Sequence, residues 1–595
     1  MPARIHNLYC DFETSSNDPD EKSVDPWDRV HCRVIGAALA FDDGPVHFVT
    51  REQLLHGDWF ECVLSRAESW VNHNVKYDYH VACNDLRVEY HGELVDTLTL
   101  AKIIDSDRTY KGGYGLKDLS RDLLQDDISE FGDRMAPYLE NNKDFGRVPL
   151  DILADYACQD VVSNRKLYAF LLSKLHTECN NVWNTERALT RVLVDIEDRG
   201  LNIDATEVKI ELARVYHRMM QIDEDLYERL GYRVNPTSTT DCYDLIVNRF
   251  GMPVIAWTEG DEDDDPDERG NPSFRKEALA QYLMMRDAPI EVLSLLVEYR
   301  KLSTRRGLFL EPWLNLHHDG VLHSDYNQSV RSGRMSCRNP NAQQLDGRVK
   351  KLIHPSPGYS ILSCDYSQIE YRLIVHYTQD PRGIKAYNED PNIDYHQWVA
   401  DILGCKRRPA KTINFMLGFG GGKRKTTRTL AAMADLDMHG DTPEVAASKL
   451  YNNYHANLPG LRRTSSYAES VARSRGYVRN IAGRHLHLPL TRAHVGFNRI
   501  VQSSAADIMK ERAVALHAEC ESLGCRIIGL VHDDFVIEVP TEHLVETAGR
   551  VNRIIEGTPF PVRVPITANP KASDHSWGDA VKLSEYIDRS VQPVG

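Results

Sequence analysis

Residues Ser360-Ile361-Leu362-Ser363-Cys364-Asp365-Tyr366-Ser367-Gln368-Ile369-Glu370-Tyr371-Arg372 run from an apolar strand into an acid and then into a helical pattern. That pattern extends over Tyr359–Tyr377. A second segment, Arg526–Val539, reads as strand, Val531-His532-Asp533-Asp534, strand. Both place acids at the ends of apolar runs, where burying several carboxylates together is costly unless a cation joins them. Two carboxylates from different strands that meet across a cleft suit a pair of divalent ions about 3.5–4 Å apart. Mg2+ fits such a site, because it takes oxygen ligands and keeps substrate phosphates in its shell.

Between these segments lies Arg407-Arg408-Pro409-Ala410-Lys411-Thr412-Ile413-Asn414-Phe415-Met416-Leu417-Gly418-Phe419-Gly420. Arg407, Lys411, Phe415 and Phe419 are four apart, roughly 400° per step, so they form one slowly drifting helix stripe. A stripe mixing cations with phenyl rings is a poor core face and a good surface for a triphosphate and a base. An amphipathic helix with snorkelling cations is the alternative.

The front third reads as α/β. Leu8–Phe12, Val34–Phe41 and Val46–Val49 have strand character, with Asp-Asp-Gly-Pro as a hairpin signal between the last two. Asp11 and Glu13 fall on one side of a strand, because side chains alternate. Asp78 in Asn74-Val75-Lys76-Tyr77-Asp78 adds a third acid. Asp160 adds a fourth, one helical turn from Tyr156 within the helical pattern Asp151–His176. Four acids and a tyrosine suit two-metal phosphodiester hydrolysis. Long helical patterns begin near Val182, with Asn184 as a candidate cap.

At 595 residues the chain holds about three to five structural units. Its 42% hydrophobic and 27% charged content is that of a globular protein. No apolar run is long enough to span a membrane. The early acids Asp11 and Glu13 leave no room for a signal sequence, which points to the cytoplasm. Twelve cysteines without C-x-x-C spacing read as reduced thiols, Cys520 and Cys525 being the nearest pair. A net charge of −16 argues at first against a polyanionic partner. Charge is segregated, however: residues 401–490 hold fifteen Lys/Arg and six Asp/Glu, a local +9 that can steer a polyanion. Residues 259–268, with eight acids in ten, read as a surface loop.

Taken together, these motifs resemble known families. Asp11/Glu13, Asn74–Asp78 and Tyr156–Asp160 resemble the three blocks of the DEDDy 3′–5′ proofreading exonucleases, with Asp96-Thr97 and Tyr114–Leu119 similar to the intervening segments. Asp365–Arg372, Arg407–Gly420 and Val531–Asp534 resemble motifs A, B and C of the family A DNA polymerases, the bacterial DNA polymerase I type. Ser332–Ser336 with Asn339-Pro340-Asn341, Asp394-x-His396, Gly476–Val478 with Gly483-Arg484, and Asn498/Gln502 before Ala505–Ile508 also fit.

The resemblance implies an α/β and α+β multidomain chain, a ribonuclease H-like exonuclease domain followed by a right-hand polymerase. Expected bounds are exonuclease 1–182, thumb and connecting helices 183–312, palm 313–380 and 499–595, and fingers 381–498. It implies metal binding by Asp365, Asp533 and the Tyr366 carbonyl, and by Asp11, Glu13, Asp78 and Asp160. That means two Mg2+ at each site, with Mn2+ as a substitute. Tyr156 would orient the attacking water. Arg407 and Lys411 would hold the triphosphate, Lys411 also protonating pyrophosphate. Phe415 and Phe419 would stack on the nucleotide and template, and Glu370 would exclude a 2′-hydroxyl. Gln368, His532, Arg334, Asn498 and Gln502 would touch the nucleotide, primer or template. Relatives with Phe at position 415 reject dideoxynucleotides.

The implied activity is template-directed DNA synthesis from dNTPs on a primer–template, with proofreading. The short chain, with no 5′-nuclease domain ahead and no room for a large thumb insertion, is more like a monomeric phage replicative enzyme. A helicase, primase or single-strand-binding protein would be further partners. Three departures stand out. Motif C ends Asp533-Asp534 instead of Asp-Glu, so Asp534 is either catalytic or structural. Phe419 replaces Tyr, and His494 stands where Arg is common. Other readings are a gap-filling repair polymerase, a nuclease with a DNA-clamping second half, a non-catalytic scaffold, and a single-subunit RNA polymerase. Glu370 and the nuclease motifs oppose the last.

Overall fold

The structure, a computed structural model, describes residues 4–16, 25–28, 32–108, 112–139, 144–258, 270–285, 288–418, 422–431, 433, 436–437 and 439–591. The acidic segment 259–268 and Phe419 lie outside the described residues.

In the front third β1 (Ile5–Ser16), β2 (Cys32–Phe41), β3 (His47–Thr50), β4 (Ala67–Asn72) and β5 (Glu93–Asp96) form one sheet, ordered β3-β2-β1-β4-β5. The pairings of β1 with β2 and of β2 with β3 are antiparallel; those of β1 with β4 and of β4 with β5 are parallel. The central strand is longer than its expected core Leu8–Phe12, because both its faces are covered. Leu8, Cys10 and Phe12 join one apolar cluster, whereas Tyr9 joins another containing Ala157, Val161 and Leu167 of the helix Leu150–Lys174. Alternation puts Asp11 and Glu13 on the face that this helix covers.

The next long helix is Asn180–Arg199, entered through the 3-10 turn Thr177–Cys179. Asn184 is therefore inside this helix and caps nothing; the turn moves the cap position five residues upstream, to Cys179. The helices Ala205–Leu230 and Ile290–Arg305 pack together behind it.

A second sheet consists of β6 (Tyr359–Tyr366), β7 (Arg526–Val531), β8 (Asp534–Pro540), β9 (Ala568–Ser573) and β10 (Val581–Lys582). Its order is β7-β8-β6-β9-β10 and every pairing is antiparallel. Ser360 to Cys364 are all buried, which explains the continuous apolar run before Asp365. The helix Gly496–Leu523 packs on β7, on Asn180–Arg199 and on Ile369–Thr378. A buried ionic junction fastens these parts: Arg484 donates to Asp507 (2.6 Å) and pairs with Glu186, which also accepts from Lys510 (2.6 Å). Removing one member would strand a buried charge, which typically costs about 3–5 kcal/mol. Among the described residues no helix is long and apolar enough to cross a membrane.

Candidate functional site

The two acid-bearing segments meet because β6 and β8 are neighbours. Asp365 pairs in register with Asp534, and the Tyr366 amide donates to the Asp533 carbonyl at 3.0 Å. His532 and Asp533 are the two residues joining β7 to β8, and His532 has φ +58°. Gln368, φ +53°, ends β6's extension and starts the Ile369–Thr378 helix, which carries Glu370. A cavity of about 320 Å³ is lined by Arg334, Gln368, Glu370, His532 and Asp533, with Ala505, Ala506 and Met509 from the Gly496–Leu523 helix.

These acids are held at an electrostatic cost. Burial, then the charges of Asp533 and Asp534, push Asp365 up to about 7. Burial raises Asp533 as well and takes Asp534 to about 6. Lys350 and Lys571 approach closely enough to pull Asp365 and Asp534 partly back. The Ser363 hydroxyl bonds Asp534 through both oxygens, at 2.8 and 2.9 Å. Glu370 is also raised by burial, and its carboxylate is fixed by an ion pair with Arg334. His532 is lowered by burial and by the Arg334 charge.

The helix Arg407–Gly418 presents Arg407, Lys411 and Phe415 outward while Ala410, Ile413, Asn414 and Leu417 are buried, so the first three members of the stripe share an exposed face, Phe419 lying outside the described residues. Phe415 is 57% exposed. Arg407 is paired with Asp394 at 2.8 Å. Asn498 and Gln502 lie on the Gly496–Leu523 helix, half-buried; the Asn498 side-chain oxygen is buried and has no hydrogen-bond partner among the described residues. They do not line the cavity around Asp533.

The second site lies in the front third. Asp78 accepts from the Phe12 amide (2.9 Å), and the Asn72 amide group bridges Asp11 (2.8 Å) and Asp78 (2.7 Å). Burial pushes Asp11 up to about 6. Burial and the Asp11 charge take Asp160 to about 7 and hold Asp78 well above its usual range. Glu13 is raised by burial and by Asp11, Asp160 and Asp78. Tyr156 is raised by burial and by the Asp160, Glu13 and Asp11 charges, so it lies beside three of the four acids. The Lys117 ammonium sits 4.5 Å from the Tyr156 ring centroid and opposes the rise of Glu13 and Asp160.

Both clusters have the donor chemistry that a hard divalent cation takes: buried or half-buried carboxylates, mutually repelling and short of positive charge. Among the described residues, no three His, Cys, Asp or Glu side chains converge as a closed cage. Cys520 and Cys525 are buried free thiols with Sγ atoms 3.8 Å apart.

Several site neighbours carry no sequence signal. Lys350 and Lys571 arrive from separate parts of the chain, and Ser363 is one of several small residues in β6. Asn72 had a weak signal, being a polar residue at the end of the buried strand that precedes Asn74–Asp78.

The chain matches the family described as DNA polymerase family A over residues 206–579, and that described as 3′-5′ exonuclease over residues 34–176. It is 26% identical over 432 residues to "DNA polymerase I, thermostable" of Thermus aquaticus, covering 68% of this chain and 49% of that protein. It is 26% identical over 577 residues to "DNA polymerase DpoZ" of Acinetobacter phage SH-Ab 15497, covering 87% of this chain and 90% of that protein. The chain thus spans about half the length of the bacterial polymerases it matches, 49% for Thermus aquaticus and 53% for Pseudomonas aeruginosa. Among solved structures it resembles the POL domain of Pol1 from M. smegmatis in complex with DNA primer-template and dNTP. The TM-score is 0.75 at 19% identity, covering 98% of this chain and 97% of that one, a likeness of fold. With the family match covering more than half its length, this chain belongs to DNA polymerase family A.

Proposed function

We propose that the chain is a DNA-directed DNA polymerase with 3′–5′ proofreading activity, using divalent ions at both sites and replicating phage DNA. The observation that carries this is the facing pair of acid-bearing strand ends. Asp365 and Asp533 are half-buried, raised in pKa and in no ion pair among the described residues, and Asp533 lines a cavity walled by Glu370 and Arg334. Mg2+, when bound there, supplies charge neutralisation at the phosphates and eases ionisation of a primer hydroxyl.

The chain's own residues do the rest. Asp365, Asp533 and the Tyr366 carbonyl hold two Mg2+, for which Mn2+ can substitute. Arg407 and Lys411 grip the triphosphate, Arg407 exchanging Asp394 for phosphate, and Lys411 gives the leaving pyrophosphate a proton. Phe415, with Phe419 beyond it, stacks on the incoming nucleotide and template. Glu370, fixed by Arg334, leaves no space for a 2′-hydroxyl. Gln368, His532, Arg334, Asn498 and Gln502 contact the nucleotide or DNA. Asp11, Glu13, Asp78 and Asp160 hold two ions for hydrolysis, and Tyr156 orients water. The proposed domains are those stated above: exonuclease 1–182, thumb 183–312, palm 313–380 and 499–595, fingers 381–498. The partners are primer–template DNA, dNTPs and replisome proteins. A monomer in the reducing host cytoplasm fits the free cysteines.

Primer extension with dNTPs and with rNTPs tests the reading. Wild type should extend with dNTPs alone, and Glu370→Ala should admit rNTPs. No extension, or equal use of both by wild type, would contradict it.

A further inference from the structure

The strand β7 delivers Asp533 but lies at the edge of its sheet, so among the described residues its outward backbone groups have no strand partner. Side chains take them instead. The Leu530 amide donates to the Tyr326 hydroxyl (3.2 Å), and the Leu530 carbonyl accepts from Gln343 (3.0 Å). The Ile527 carbonyl accepts from Arg199 at 3.2 Å. Leu530 is three residues before Asp533.

Tyr326 is itself clamped. Its amide donates to Glu197 Oε1 at 2.7 Å, and its carbonyl accepts from Lys76 Nζ at 2.6 Å. Lys76 pairs with Glu197, and His80 Nε2 lies 2.8 Å from Glu197 Oε2. Asp325 is 3.6 Å from Lys76 and is held by Arg338 at 2.7 Å. Lys76 and His80 flank Asp78 on the helix Val75–Val81, and all of Lys76, His80, Glu197 and Tyr326 are buried. Lys76 therefore points away from the nuclease acids although it sits two residues from Asp78.

We propose that Glu197 is a positioning residue shared by the two sites. One carboxylate fixes the helix that carries Asp78 and, through Tyr326, the edge strand that carries Asp533. This rests on the polymerase and nuclease reading above. The link runs through the Tyr326 backbone on one side and its hydroxyl on the other, so the two halves separate by mutation. Tyr326→Phe cuts only the bond to Leu530. Glu197→Gln loosens both arms.

The test compares wild type, Tyr326→Phe, Glu197→Gln and the double variant Lys76→Met/Glu197→Met. Four quantities are measured: extension kcat and KM for dNTP, single-strand degradation rate, hydrogen–deuterium exchange, and melting temperature. Tyr326→Phe should lower extension kcat several-fold with KM unmoved and degradation unchanged, and should speed exchange in residues 526–531 alone. Glu197→Gln should lower both rates and speed exchange in both 75–81 and 526–531. The double variant removes the charges together, so melting temperature should recover while neither rate does. Rates that recover with melting temperature, or stay at wild type in Glu197→Gln, would overturn the proposal. If wild type neither extends nor degrades, the enzymatic reading fails and the exchange pattern alone decides the link.

Discussion

Asp534 shows how a neighbouring atom decides what a carboxylate does. Its oxygens are occupied by the Ser363 hydroxyl, whereas Asp533 sits at the open turn facing the cavity. Asp533→Asn should reduce primer extension to background. Asp534→Asn should leave measurable activity, reduced about 10–100-fold, as for groups that orient a metal ligand without binding the ion. Equal losses in the two variants would make Asp534 a full ligand. Phe415 gives a second prediction at this scale. Its exposed ring should make wild type reject dideoxynucleotides, and Phe415→Tyr should relax that rejection about tenfold or more, roughly 1.4 kcal/mol. Unchanged chain-termination efficiency would misplace this ring. The acids and the Arg407–Phe415 stripe were legible because each is a local pattern, set by strand alternation or helix spacing. Ser363, Lys350 and Lys571 were not, because they reach Asp365 or Asp534 through strand register and packing, which no local spacing encodes.

At the scale of elements, β1 and β2 converge at Glu13, which pairs with Gly36. A Cβ on Gly36 would come within 2.5 Å of the Phe48 ring and 2.6 Å of the Val49 carbonyl. Gly36→Ala should therefore push β2 and β3 apart beside Glu13, at about 1–3 kcal/mol of stability. Degradation of single-stranded DNA should fall and primer extension should not. A variant with wild-type nuclease activity and melting temperature would show that this approach is not needed. Elements were legible where burial is strong, as in β6. They were less so at termini: Asn184 looked like a cap, but a 3-10 turn starts that helix at Asn180. A polar residue near a change of pattern is compatible with several starts, and only the chain's path into the helix selects one.

For the whole molecule, the two acid clusters predict a linked dependence on pH and metal. Asp11 and Asp534 are near 6, Asp160 and Asp365 near 7, against 3.8 for a free aspartate. The folded protein holds protons that the unfolded chain releases between about pH 4 and 7. The stability these groups contribute is complete below pH 4 and is lost as pH rises through 6 to 7. Mg2+ needs the ionised acids, so it should raise the melting temperature far more at pH 8 than at pH 5. A hundredfold excess over Kd at one site adds about 2.7 kcal/mol. Equal stabilisation at both pH values would mean that the ion binds elsewhere.

The division of labour between the two clusters is tested most directly with a labelled primer–template, Mg2+ and dNTPs, following extension and degradation in the same gel. Asp533→Asn should abolish extension and keep degradation; Asp11→Ala/Glu13→Ala should do the reverse. Extension that survives in Asp533→Asn would contradict the assignment of Asp365 and Asp533 as the carboxylates of DNA synthesis.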